Sequence, residues 1–199
     1  VIEQLRKAGG KKFSAAALDH ARDVYQGADR GSWAPASLMA DRDVLLLGTG
    51  PGVGRHAEAI EAYVRREEPL VMALNTQSDI AAELIDLRAA CHPLRLIADL
   101  DAHAALPQPL IAPLAILPQD VQAALAHKKV LDYGLTVESG RFAFEDTRCV
   151  IPTALVLAYA LSAITSGRTR RILMAGFDGY PPGDRRNDET AEIFEAYRR

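Results

Sequence analysis

Residues 43–56, Asp-Val-Leu-Leu-Leu-Gly-Thr-Gly-Pro-Gly-Val-Gly-Arg-His, constrain the fold of this chain more than any other stretch. An unbroken Val/Leu run reads as a strand covered on both faces. The glycines that follow at 48, 50, 52 and 54 read as a strand-to-helix turn, because glycine lets the backbone turn sharply and lets another group come close. Amides opening the next helix lie at the positive end of its dipole and offer a seat for an anion. Arg55 and His56 sharpen that expectation. A cation in a first helical turn opposes the dipole by roughly 0.3–1 kcal/mol unless something negative offsets it. The ligand-binding residues expected here are Gly48, Gly50, Pro51, Gly52, Val53, Gly54 and Arg55. The competing reading is a tight turn that binds nothing.

Beyond this turn, apolar segments alternate with amphipathic ones. Strands are expected at 44–47, 70–74, 94–97, 110–112, 129–133 and 171–175. Helices are expected at 55–67, 79–87, 99–105, 119–127, 153–166 and 188–197, with a small hairpin at 137–144 around Ser139-Gly140. The alternation specifies a doubly wound, mostly parallel, Rossmann-like α/β sheet over residues 41–199. Residues 1–40 read as an N-terminal helical extension, a linker or collar with helices at 2–8 and 14–27 and a loop at 27–37. The single Trp, Trp33, is expected to anchor that arm to the body. A chain of 199 residues suits one domain and is too short for an eightfold barrel of about 250. It begins at Val1, not Met, and reads as part of a longer protein.

A formal charge of −3 gives no broad basic surface, which argues against nucleic acid as a partner. The longest apolar run, 154–164, falls well short of the ~20 residues of a membrane span. Two cysteines, Cys91 and Cys149, lack CxxC or metal-ligand spacing and read as buried, reduced thiols of a cytoplasmic protein. No signal peptide is visible at this N-terminus and no metal site is expected.

Ligands of open α/β sheets bind beyond the carboxyl ends of the strands. That rule singles out Asn75 after the second strand, Asp99 and Asp101 after the third, and Asp178 in Gly176-Phe177-Asp178-Gly179-Tyr180 after the last. Asn75 reads either as a ligand contact or as a helix cap. Asp178 reads either as a carboxylate for a ribose hydroxyl or a divalent ion, or as an Asx turn. Among five histidines His92 is the acid–base candidate, since Pro93 extends the backbone before it; a buried structural ring is the alternative. His20, His103 and His127 read as surface residues. Residues 151–153, opening the apolar 153–166 helix, are a second place for an anion. Arg185 and Arg186 read as a solvated loop or as cations closing over a phosphate. The chain has no GxSxG, HExxH or GxxxxGK[ST], and its GxGxGxG run lacks the spacing of a dinucleotide site.

Gly48-Thr49-Gly50-Pro51-Gly52, Asn75 and Ile172-Leu173-Met174-Ala175-Gly176-Phe177-Asp178 resemble landmarks of the hydroxymethylpterin pyrophosphokinase-like proteins and bacterial sialyltransferases. In those relatives the turn contacts a nucleotide's phosphates; Gly52 stands here where serine is usual. Cys91-His92-Pro93-Leu94-Arg95-Leu96, Pro109-Leu110-Ile111-Ala112-Pro113-Leu114, Leu131-Asp132-Tyr133-Gly134 and Ala175–Tyr180 extend the likeness. Together they resemble the C-terminal region of aldolase-like proteins of surface-polysaccharide (O-antigen, lipopolysaccharide) biosynthesis, whose N-terminal barrel is similar to hydroxymethylglutaryl-CoA lyase and hydroxy-oxovalerate aldolase. The resemblance implies a small phosphorylated ligand, a nucleotide of CMP, CDP or UDP type or a nucleotide-sugar, with or without a divalent cation. It also implies the aldolase barrel of the same protein as partner. Two alternatives stay open: a non-catalytic docking or homodimerisation module, and a glycosyl- or pyrophosphoryl-transferase using His92 or Asp178.

Overall fold

A computed structural model of the chain describes residues 30–185, 187, 188 and 191. The helices expected at 2–8 and 14–27, and all but residues 188 and 191 of the one expected at 188–197, lie outside the described residues, as do His20 and Arg186. Nine strands are described: β1 (Asp43–Leu47), β2 (Leu70–Leu74), β3 (Leu87–Ala89), β4 (Leu110–Ala112), β5 (Val130–Asp132), β6 (Gly134–Val137), β7 (Ala143–Phe144), β8 (Arg148–Ile151) and β9 (Arg171–Ala175). Seven helices connect them: α1 (Ala36–Met39), α2 (Gly52–Arg55), α3 (Ala57–Glu67), α4 (Pro93–Ala98), α5 (Leu100–Ala105), α6 (Gln119–Ala124) and α7 (Val156–Ser166).

Six strands form one all-parallel sheet in the order β5-β4-β3-β2-β1-β9, a Rossmann-like α/β fold. From β1 the chain steps outward strand by strand to β5, then returns through α7 to the other side of β1. The direction of winding therefore reverses between β1 and β9, which opens a crevice at their carboxyl ends. Every residue of β1 and β2 is buried, and from Val44 and from Leu70 onward each is an unbroken apolar run.

Alternation of side chains along the strands divides the core in two. Val44, Leu46, Met72, Leu87, Ala89 and Ile111 pack with Met39 of α1, with α7 and with the inner residues of a second, three-stranded sheet. The opposite face carries Leu45, Leu47, Val71 and Ala73 under Val64 of α3. Farther along that face Leu110 and Ala112 lie under Leu96, Leu100 and Val121 of α4, α5 and α6. Arg88, paired in register between Ala73 and Leu110, separates these two clusters. At the amino end of β1 the Asp43 carboxylate accepts hydrogen bonds from Arg170 (2.8 Å) and Arg171 (2.5 Å), which pins the β1–β9 register and holds Asp43 down at about 2.

Several expected elements are replaced. Residues 94–97 are helical, inside α4, because Pro93 occupies its first turn and fixes φ for a helix start. The third strand is Leu87–Ala89; its central Arg88 breaks the apolar run and hides the strand from a hydropathy reading. The helix expected at 79–87 shrinks to the 3-10 turn Ala82–Leu84. The 137–144 hairpin is not one: β8 lies between β6 and β7 and pairs with both. Trp33 packs half-buried against the core, and its amide donates to Asp132 O at 3.0 Å. Cys91 and Cys149 are both buried and not joined to each other.

His103 is a correction as well. It is 1% exposed in α5, not on the surface, and neither ring nitrogen has a hydrogen-bond partner among the described residues. Burial, then the charges of Arg88 and Lys128, push it down to about 4. Between the ordinary histidine value of 6.5 and 4, the unfolded chain binds the proton and the folded chain does not. Stability is therefore expected to fall as pH drops through that window, read as a falling urea midpoint. His103→Leu is expected to flatten the dependence, leaving the share of His92, which is also held at about 4. An unchanged slope in the variant would assign the effect elsewhere.

Candidate functional site

A cleft of about 290 Å³ opens where the winding reverses. Its walls come from five places: Gly48–Gly50 after β1, Asn75 after β2, His92 and Arg95 at the start of α4, Thr153–Val156 leading into α7, and Gly176, Phe177, Gly179 and Tyr180 after β9. Leu74, Leu155, Phe177 and Tyr180 make much of its surface apolar or aromatic.

The glycines of the β1–α2 turn serve a contact within the chain. A Cβ on Gly48 would lie 2.3 Å from Gly176 O, and one on Gly50 would lie 2.4 Å from Asp178 Oδ1 and 2.7 Å from Gly176 O. Gly48 N donates to Ala175 O at 2.8 Å and Gly50 N to Gly176 O at 2.9 Å, so the β1–β9 pairing continues past the strands. The anion expected on the turn is present, and it belongs to the protein. Asp178 Oδ2 accepts from Gly52 N at 2.9 Å and from Arg55 Nη2 at 3.0 Å. Asp178 thus points at the turn while its neighbours line the cleft. Of the remaining turn residues, Pro51 precedes α2, Val53 is buried, Gly54 lies against Asp79, and Arg55 is exposed in its pair with Asp178. Thr49 and Tyr180 join by their hydroxyls across the mouth.

Gly48, Gly50 and Asn75 are the expected ligand-binding residues that do reach the cleft. Asn75 caps no helix. It takes a left-handed conformation (φ 57°), which asparagine tolerates, while its N–H donates to Ala89 O and its carbonyl accepts from the buried Arg88 guanidinium at 3.0 Å. Asn75 lines the cleft, and its carboxamide makes no hydrogen bond to any described residue. His92 has the extended backbone expected before proline (φ −74°, ψ 118°) and is buried at the cleft wall. Burial and then the nearby charge of Arg95 lower it to about 4, so its imidazole is neutral at pH 7. Asp99 and Asp101, expected after a strand, instead lie at the α4–α5 junction.

Arg95 is the group that the sequence reading missed. Placing residues 94–97 in a strand hid it; Pro93 and the apolar positions Leu96, Ile97 and Leu100 were the signal for a helix. Arg95 is half-buried in the cleft and has no hydrogen bond or ion pair with a described residue. Beside it α7 begins without a side-chain cap and without an acidic residue in its first turn, while the Thr153 hydroxyl also makes no hydrogen bond to a described residue. The start of an 11-residue helix lines one opening with Arg95, Asn75 and Thr153, whose side chains have no hydrogen bond among the described residues. Among the described residues no group of three or more His, Cys, Asp or Glu side chains is placed to hold a metal ion, and no helix is long and apolar enough to cross a membrane.

No protein-family model matches this chain, and no curated protein matches it.

Proposed function

We propose that this chain binds a phosphorylated small molecule, of the nucleotide or nucleotide-sugar class, in the cleft between β1 and β9. The observation that carries the reading is that Arg95, with no hydrogen bond or ion pair among the described residues, lines the same open cleft as the uncapped start of α7. A buried or half-buried cation without a carboxylate is costly unless an anion completes it. Helix amides accept phosphate for the same reason. In this reading Arg95, Thr153 and the first turn of α7 hold the phosphate. The Asn75 carboxamide meets hydroxyl or base edges, and Phe177 and Tyr180 flank the ring. The expected anion site thus shifts from the 48–56 turn to the second place that the sequence offered. The likeness of the motifs to polysaccharide-pathway aldolases supports reading this as the ligand-binding domain of such a cytoplasmic protein, with its barrel as neighbour. Neutral His92 in the same cleft as Gly50 keeps a transferase as the second reading.

Titration of CMP followed by calorimetry tests the site. Arg95→Met is expected to weaken binding at least about tenfold, the worth of one charge-assisted contact. Arg141→Met, on the exposed β6–β7 connection, is expected to leave it unchanged. Equal affinity in the Arg95 variant and the parent would remove the site.

A further inference from the structure

We propose that Asp178 is a resident anion that restricts the cleft to ligands carrying a single phosphate. The inference rests on the cleft being the ligand site and deepens it by naming the ligand class. A nucleoside diphosphate seated at Arg95 and the α7 N-terminus would carry its second phosphate toward the β1–α2 turn, where folds of this kind usually offer free amides. Here those donors are spent. Gly48 N and Gly50 N donate to the carbonyls of Ala175 and Gly176, and Gly52 N donates to Asp178 Oδ2 at 2.9 Å. Arg55, the turn's cation, pairs with the same oxygen at 3.0 Å. The other carboxylate oxygen, Oδ1, lies 2.4 Å from where a Cβ of Gly50 would be, against a residue that lines the cleft. A second phosphate would meet the Asp178 carboxylate, and the amides of Gly48, Gly50 and Gly52 already donate within the chain. Like charges brought together in a partly dry cleft repel strongly enough to set specificity.

Wild type is expected to bind CMP at least about tenfold more tightly than CDP, the reverse of what a second phosphate gives on an open turn. Asp178→Asn keeps an oxygen for the Gly52 amide and removes the charge; CDP is expected to approach CMP in affinity. Arg55→Met leaves the carboxylate unneutralised and is expected to widen the preference for CMP. A purely structural role for the pair would weaken both ligands in both variants. The melting temperature of each variant shows that it is folded. If wild type binds CDP as tightly as CMP, or if Asp178→Asn leaves their ratio unchanged, the assignment of Asp178 is overturned. Loss of binding in Arg95→Met would still leave the ligand site standing in that case. If neither nucleotide binds wild type, the ligand site and the role of Asp178 fall together.

Discussion

Gly48→Ala is expected to destabilise the fold by about 3 kcal/mol or more, at the upper end of what overpacking does. The added methyl would sit 2.3 Å from the carbonyl oxygen of Gly176, a backbone atom that cannot swing aside as a side-chain tip can. Gly176 cannot retreat either. It holds φ 79°, and a Cβ built on it would already lie 2.5 Å from Val53 Cγ2 and 2.8 Å from Gly48 O. Relief requires parting β9 from β1, which breaks the hydrogen bonds from Gly48 N and Gly50 N and opens the edge of the sheet beside the cleft. Gly140 supplies the comparison. It has positive φ and open space around it, so alanine there costs only the left-handed backbone penalty of about 1–2 kcal/mol. Urea unfolding of both variants decides the matter, since a loss of this size is a large part of the 5–15 kcal/mol of a typical domain. A Gly48→Ala protein no less stable than Gly140→Ala would show that the two backbones are not in the close contact described.

The sheet was legible in the sequence wherever a strand was apolar on both faces. Val44–Leu47, Leu70–Leu74 and Leu110–Ala112 announce themselves because nothing polar interrupts them. Leu87–Ala89 did not, because Arg88 is buried within it at 3% exposure. Its charge is accommodated by Gln108 Oε1 and by the carbonyl of Asn75, partners that lie 20 and 13 residues away in sequence. No local pattern reports such partners. The same limit shaped the site reading. A glycine turn followed by a cation does call for an anion, and the chain supplies one from residue 178, more than a hundred positions downstream. Hydropathy could show that the 151–153 segment opens a buried helix, and so could place a second anion seat there. That Arg95 faces the same opening depends on α4 being a helix, which in turn depends on reading Pro93 as a start and not as an interruption.

Tyr133 joins three parts of the molecule, and its replacement separates ring from hydroxyl. The side chain is fully buried just beyond β5, with its ring 5.7 Å from that of Tyr159 in α7. Its hydroxyl donates toward the carbonyls of Arg148 (2.9 Å) and Glu145 (3.2 Å) at the second sheet and lies 2.7 Å from Ser166 Oγ at the end of α7. Burial raises the phenol above its ordinary range, so it stays protonated and remains a donor wherever the fold is stable. Tyr133→Phe keeps the ring and leaves the Arg148 carbonyl and the Ser166 hydroxyl short of a partner, at an expected cost of about 1–3 kcal/mol. Tyr133→Ala also empties the space between β5, β8 and α7 and is expected to cost about 3–5 kcal/mol. Because the second sheet and the α7 approach lie on the path from β5 to the cleft, the alanine variant is expected to lose CMP binding together with stability. The phenylalanine variant, still packed, should bind normally once folded. If Tyr133→Phe unfolds at the same urea concentration as the parent, water is serving the Arg148 carbonyl and the hydroxyl network contributes nothing to holding the two sheets together.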